Sequence, residues 1–254
     1  MFSAVQYILH FLRKEDRHSL QSPFAFQLYD GLINHFKTAK YPEIEKIRTS
    51  FLRDNTEIFV TDYGAGSKMV PNSKRKVKDI ALYSNSPKKY NLLYQYFLSQ
   101  TPADYAVELG TGLGINSQYL AACTKKSLLT IEADKSICDL AASHLQKLPN
   151  VEVFCDEIPN VLPTIASQMN SLDFLLIDAH HTYEATIKYF NMLVPRLHEN
   201  SIMIIGDIYW SKGMKKAWDE IKMHPEVRMT FDFFECGVAF FKKDLQKENY
   251  ILTY

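Results

Sequence analysis

With 254 residues, 46% of them hydrophobic and 23% charged, the chain is long enough to bury a core as one large domain or one domain with an appendage. Its 29 Lys and Arg balance 29 Asp and Glu, which argues against a protein that grips nucleic acid by bulk phosphate neutralisation. The four cysteines, Cys123, Cys138, Cys155 and Cys236, contain no CxxC pair, so neither a zinc knuckle nor a disulfide framework is expected, and a reducing, cytoplasmic setting is.

Residues 1–90 predict a mainly helical extension. In its first stretch Val5, Ile8, Leu9 and Leu12 fall on one face at helical spacing, and packing of that face on the main domain is expected ahead of a membrane anchor. No apolar run approaches the roughly 18 residues of a membrane span, so no membrane association is expected. Gln6 and His10 interrupt the apolar start, which argues against a signal peptide. Ser22-Pro23 signals a second helix carrying Phe24, Phe26, Leu28, Tyr29, Leu32 and Ile33. The surplus apolar surface of these helices suggests a homodimer. EIFVTDYGAGS (57–67) predicts a strand entering a glycine-rich turn. Lys68, Lys74, Arg75, Lys76, Lys78, Lys88 and Lys89 then form a solvated basic face, with an anionic-substrate patch as the alternative.

Residues 91–254 change texture. The runs YAVEL (105–109), SLLTIE (127–132), VEVFC (151–155), DFLLID (173–178) and SIMIIGD (201–207) alternate with helical patterns. Strands that are apolar throughout and separated by helices indicate parallel βαβ units buried on both faces. VRMTFDFF (227–234) and GVAFFKK (237–243) are separated by two residues, too few for a crossover helix, and predict an antiparallel hairpin at or near the sheet edge.

Two turns have the form acid-x-Gly-x-Gly: Asp62-Tyr-Gly64-Ala-Gly66 and Glu108-Leu-Gly110-Thr111-Gly112-Leu-Gly114. A nucleotide-type site needs a strand before the turn, a helix after it, and an acid about 20 residues on at the end of the next strand. The second turn meets all three conditions, with Glu132 lying 20 residues beyond Gly112. The first runs into KMVPNSKRK and is better taken as a turn or substrate-side loop. A dinucleotide fingerprint would place its third glycine at position 115, which is Ile115, and a carboxylate at Glu108 would repel a pyrophosphate.

This second turn, with Glu132 and the terminal hairpin, resembles motif I and the surrounding fold of the class I S-adenosylmethionine-dependent methyltransferases over residues of about 90 to 243. The resemblance implies a Rossmann-like sheet of seven mostly parallel strands. In it the C-terminal hairpin inserts an antiparallel strand beside strand five. It implies S-adenosylmethionine as cofactor, approached by Gly110, Thr111, Gly112 and Gly114, with Asp178 also on the cofactor side. Glu108 would lie near the amino-acid end and Glu132 on the ribose hydroxyls. Asp156 is the candidate for the adenine amino group, with a helix cap as its alternative role. Asp178, in Ile177-Asp178-Ala179-His180-His181, and Asp207, in Gly206-Asp207-Ile208-Tyr209-Trp210, match the two acids with which the small-molecule O-methyltransferase branch holds a divalent metal. Ile208 stands where that branch has an asparagine ligand, so no metal ligand is assigned and the metal stays an open alternative.

His181 is the first candidate for a general base, because an imidazole titrates near neutral pH, and His180 is the second. Asp207 would orient the base, bind metal or cap a helix. Tyr209 and Trp210 would wall a small-molecule acceptor. The expected activity is O-methylation of that acceptor. A non-catalytic interaction module with a cofactor fold is the alternative, and a nicotinamide-dependent oxidoreductase is a weaker one.

Overall fold

The structure, a computed structural model, describes residues 2–61 and 73–254. The Asp62 to Ser67 turn and Lys68 lie outside the described residues. Three helices open the chain: α1 (Phe2–Arg13), α2 (Pro23–Thr38) and α3 (Pro42–Arg53). The expected start of α2 is realised, since the Ala25 N–H donates to Ser22 Oγ at 3.3 Å and Pro23 sits in the first turn, where its missing N–H costs nothing. An antiparallel ribbon of β1 (Glu57–Phe59) and β2 (Lys74–Lys76) follows, then α4 (Val77–Tyr83) and α5 (Lys88–Ser99).

From residue 105 strands and helices alternate. The order is β3 (Tyr105–Leu109), α6 (Ile115–Ala121), β4 (Ser127–Glu132), α7 (Lys135–Leu145), β5 (Val151–Cys155), α8 (Ile158–Gln168), β6 (Leu172–Ile177), α9 (Tyr183–Leu193), β7 (Leu197–Gly206) and α10 (Lys212–Met223). The expected hairpin is β8 (Met229–Asp232) with β9 (Cys236–Phe240), and β10 (Glu248–Ile251) follows it. The main sheet runs β10-β8-β9-β7-β6-β3-β4-β5. Only β9 is antiparallel to its neighbours, and it lies beside β7 with Met203 opposite Ala239. The sheet has eight strands where seven were expected. β10 pairs in parallel with β8, a four-residue strand too short and too polar to stand out in the sequence.

Alternation within the strands divides the core into two layers. In β6, Phe174 and Leu176 face α2, α5 and α6, among Leu32, Phe97 and Leu120. Leu175 and Ile177 face α8, α9 and α10, among Leu162, Phe190 and Trp218. Each such side chain contributes roughly 1.5–3 kcal/mol on burial, which is why the interior strands read as unbroken apolar runs. The sheet grows from β3 through β4 to β5 on one side, and from β3 through β6 to β7 on the other. This reversal opens a crevice at the carboxyl ends of β3 and β6.

Two expectations are corrected here. The face of Val5, Ile8, Leu9 and Leu12 does not pack on the main domain; Leu12 is 73% exposed, and α1 docks instead through His10, whose Nε2 lies 3.1 Å from the Asp232 carbonyl oxygen. A polar side chain is the anchor, so apolar spacing pointed to the wrong face. Cys138 in α7 and Cys155 at the end of β5 form a disulfide across 17 residues of sequence. The sequence could not show this pairing, because the α7–β5 packing brings the two thiols together rather than a short spacing. Among the described residues no helix is long and apolar enough to cross a membrane.

Candidate active site

The crevice is a cleft of about 450 Å³. Gly110, Thr111, Gly112, Glu132, Asp178, His181 and Asp207 all line it, so seven of the ten site residues expected from the sequence converge on one cavity. Gly110 and Gly112 have φ of 103° and 54°, in the left-handed region where a side chain is strained. At Gly110 a Cβ would also meet the Asp178 carbonyl oxygen at 2.4 Å. Their N–H groups are held in place: Gly110 donates to the Ile131 carbonyl at 3.0 Å, and Gly112 to Glu132 Oε2 at 2.8 Å. Glu132 Oε1 accepts a second bond, from the Asp134 N–H at 3.0 Å. Burial raises the Glu132 pKa, and these two backbone donors oppose the rise. Asp134 itself caps α7, with Oδ1 accepting from Ile137 N–H at 2.9 Å, and receives the Thr61 N–H at 2.7 Å.

The other three do not line the cleft. Glu108 is fully buried, and its carboxylate accepts from Asn116 Nδ2 and Thr130 Oγ1, each at 2.7 Å, and from Ser117 Oγ. It ties the start of α6 to β3 and β4. Burial pushes its pKa up to about 7, against the three donors. Gly114 opens α6 with φ of 73°, and a Cβ there would strike Leu145 Cδ1 of α7 at 2.8 Å, so this glycine serves helix packing. Asp156 is exposed, one residue before the Glu157 N-cap of α8, with Oδ1 accepting from Glu157 N–H at 2.7 Å and Asn160 Nδ2 at 2.8 Å, so it neither lines the cleft nor accepts a capping bond from the helix backbone.

At the reacting end three non-glycine residues, His180, His181 and Asp207, have positive φ of 62°, 48° and 54°. Such strain persists where surrounding structure over-determines it, and here it turns the loops after β6 and β7 toward each other. The Asp178 N–H donates to the Leu109 carbonyl at 2.9 Å, and its Oδ2 accepts from Ser86 Oγ at 3.3 Å. Burial raises the Asp178 pKa, His181 opposes that rise and Asp207 adds to it. His181 Nε2 lies 3.6 Å from Asp207 Oδ2, while its Nδ1 is buried with no hydrogen-bond partner among the described residues. Asp207 is the solvent-facing member, its side chain 44% exposed. His180 turns away toward α9, Nδ1 lying 2.6 Å from the Tyr189 hydroxyl.

Asp178, His181 and Asp207 each offer a ligand atom, all within 4.8 Å of one another. Two carboxylates and an imidazole are a donor set that a divalent cation accepts, and the unpartnered Nδ1 shows that the imidazole is not committed to the protein on both sides. Ile208 is fully buried among α9 and α10 residues and faces away. Sequence spacing missed the residues that complete the walls: Ser86, Tyr90 and Tyr94 from before β3, and Glu235 from the β8–β9 hairpin. Tyr90 and Tyr94 carry an i, i+4 signal on α5, but their distance in sequence from the glycine turn hides the connection.

Residues 107–208 match the family model described as a methyltransferase domain. No curated protein matches the chain. Among solved structures, the O-methyltransferase from Bacillus cereus in complex with SAH is 17% identical, with a TM-score of 0.53 over 61% of this chain and 82% of that one. The O-methyltransferase TomG from Streptomyces achromogenes, in complex with SAM, is 16% identical, with a TM-score of 0.52 over 62% and 81%. A methyltransferase from Geobacter sulfurreducens is 15% identical, with a TM-score of 0.54 over 66% and 86%. At these identities the solved structures establish the fold. The chain thus has the fold of these methyltransferases, and its residues 107–208 match a methyltransferase domain.

Proposed function

We propose that the chain transfers the methyl group of S-adenosylmethionine to a hydroxyl oxygen of a small-molecule acceptor. The observation that carries this is the convergence of the Gly110–Gly112 turn, Glu132 and the Asp178–His181–Asp207 cluster on one cleft. Glu132, already fixed by two backbone donors, has the geometry to receive ribose hydroxyls. The acids around the cleft favour a sulfonium cofactor over a pyrophosphate.

Methyl transfer needs an in-line approach and removal of the hydroxyl proton. As the acceptor oxygen forms its bond to the methyl carbon, the carbon–sulfur bond breaks and its electron pair stays on sulfur. The proton passes to His181, which Asp207 orients from 3.6 Å. In place of that role, Asp178, His181 and Asp207 would hold a divalent cation, which when bound lowers the pKa of an acceptor hydroxyl, His181 then serving as a ligand rather than as the base. The segment before residue 91 supplies Ser86 and Tyr90 to this end and acts as the acceptor-selecting wall.

Titration calorimetry with S-adenosylhomocysteine tests the cofactor assignment, since a nicotinamide-dependent enzyme would ignore it. His181→Ala should keep that affinity and lose turnover. Loss of both together would remove His181 from its role as base.

A further inference from the structure

We propose that Glu235 recognises a protonated amine on the acceptor, making the substrate class a hydroxylated aromatic amine. This rests on the methyltransferase function above and specifies its acceptor.

Glu235 lies between β8 and β9 and lines the cleft. Its position is pinned by its neighbours. Phe234 before it has a φ of 72°, and its ring stacks on Tyr209 at 4.9 Å and meets the edges of Tyr7 at 5.1 Å and His10 at 5.5 Å. The Glu235 N–H donates to the Phe233 carbonyl at 3.0 Å, and the Glu235 carbonyl accepts from the Asp207 N–H at 2.6 Å. That last bond ties Glu235 directly to a member of the reacting cluster. A group held by Glu235 is therefore presented at a fixed offset from the hydroxyl held beside His181 and Asp207.

The charge distribution selects what that group is. The described residues lining the cleft include five acids, Glu132, Asp134, Asp178, Asp207 and Glu235, against one basic residue other than histidine, Arg75. Four of the acids are committed: Glu132 and Asp134 to backbone N–H groups, Asp178 and Asp207 to the cluster with His181. Glu235 has the neutral Tyr90 hydroxyl beside it. An acceptor entering the cleft strips water from this carboxylate. A neutral acceptor leaves it with no charged partner and an anionic one adds repulsion, whereas an ammonium supplies up to three charged donors. Tyr90, Tyr94 and Trp210 add flat faces for the acceptor ring and for the cation.

The test uses the full chain saturated with S-adenosylhomocysteine and three probes of one shape: 4-(2-aminoethyl)phenol, 4-ethylphenol and 3-(4-hydroxyphenyl)propionate. Calorimetry should show the amine binding about tenfold tighter than 4-ethylphenol, the scale of one charge-assisted hydrogen bond in a part-open site, with the acid weakest. Glu235→Gln should erase the preference for the amine, and Glu235→Lys should transfer it to the acid, with S-adenosylhomocysteine affinity unchanged in both. Equal affinities for amine and ethyl probes, or no binding of any probe to the cofactor-loaded protein, overturns the proposal alone. Failure of S-adenosylhomocysteine to bind the unaltered chain overturns the methyltransferase function beneath it.

Discussion

Asp178 Oδ1 lies 2.0 Å from the point where a Cβ on Gly206 would sit. The last residue of β7 is thus a glycine because the first acid after β6 needs its space. Gly206→Ala should push the Asp178 carboxylate out of the cluster and lower turnover by about 100-fold, the scale of a displacement near 1 Å at a reacting centre. S-adenosylhomocysteine affinity should stay close to that of the unaltered chain. Wild-type turnover in a folded variant would show that Asp178 need not hold this position.

Glu132 bridges the Gly112 and Asp134 N–H groups at 2.8 and 3.0 Å. Truncation leaves both donors without that acceptor and removes the candidate ribose ligand. Glu132→Ala should weaken S-adenosylhomocysteine at least tenfold, given about 1.5–3 kcal/mol per hydrogen bond to a charged group. Equal calorimetric affinity in the two proteins would end the assignment.

Glu108 gives stability a pH dependence. Burial raises its pKa in the folded chain from an ordinary 4.5 to about 7. The folded state therefore holds the proton over this range while the unfolded state has lost it. Stability from this group is fully present below pH 4.5 and declines as pH rises toward 7, by roughly 3 kcal/mol. Denaturant midpoints between pH 5 and 8 should fall with pH, and Glu108→Gln should flatten the slope. An unchanged slope in the variant would assign it to other groups.

The Cys138–Cys155 disulfide closes a loop of 17 residues, for which the chain-entropy account expects about 3 kcal/mol of stabilisation. Thiol reductant should lower Tm, whereas Cys138→Ser should start at the lower Tm and ignore the reductant. A Tm indifferent to reductant in the unaltered chain would mean that the bond contributes nothing to folding.

The interior parallel strands were legible because burial on both faces demands continuous apolar runs, and the half-exposed edge strand β5 because of its Val and Phe residues. YAVEL, SLLTIE and VEVFC coincide with β3, β4 and β5 to the residue. The glycine turn and Glu132 were legible because their roles are local and depend on spacing. Gly114 was harder to interpret, since a glycine needed for contact with Leu145 looks the same in sequence as one needed for a ligand. His181 could be picked out as a residue, but its meeting with Asp207 depends on left-handed backbone at 180, 181 and 207, which no pattern encodes. The docking of α1 through His10 and the arrival of Glu235 in the cleft are long-range results of how β8 and β9 insert beside β7.

That insertion also separates two kinds of inheritance. The wall holding Gly110, Gly112 and Glu132 is built from β3, β4 and the turns between them. The opposite wall comes from α5, the loop after β7 and the hairpin tip. Substitutions at Tyr90, Trp210 or Glu235 can therefore accumulate without disturbing the backbone that carries the glycine turn. Under the proposed function, a lineage built on this plan is free to change its acceptor while keeping its methyl donor.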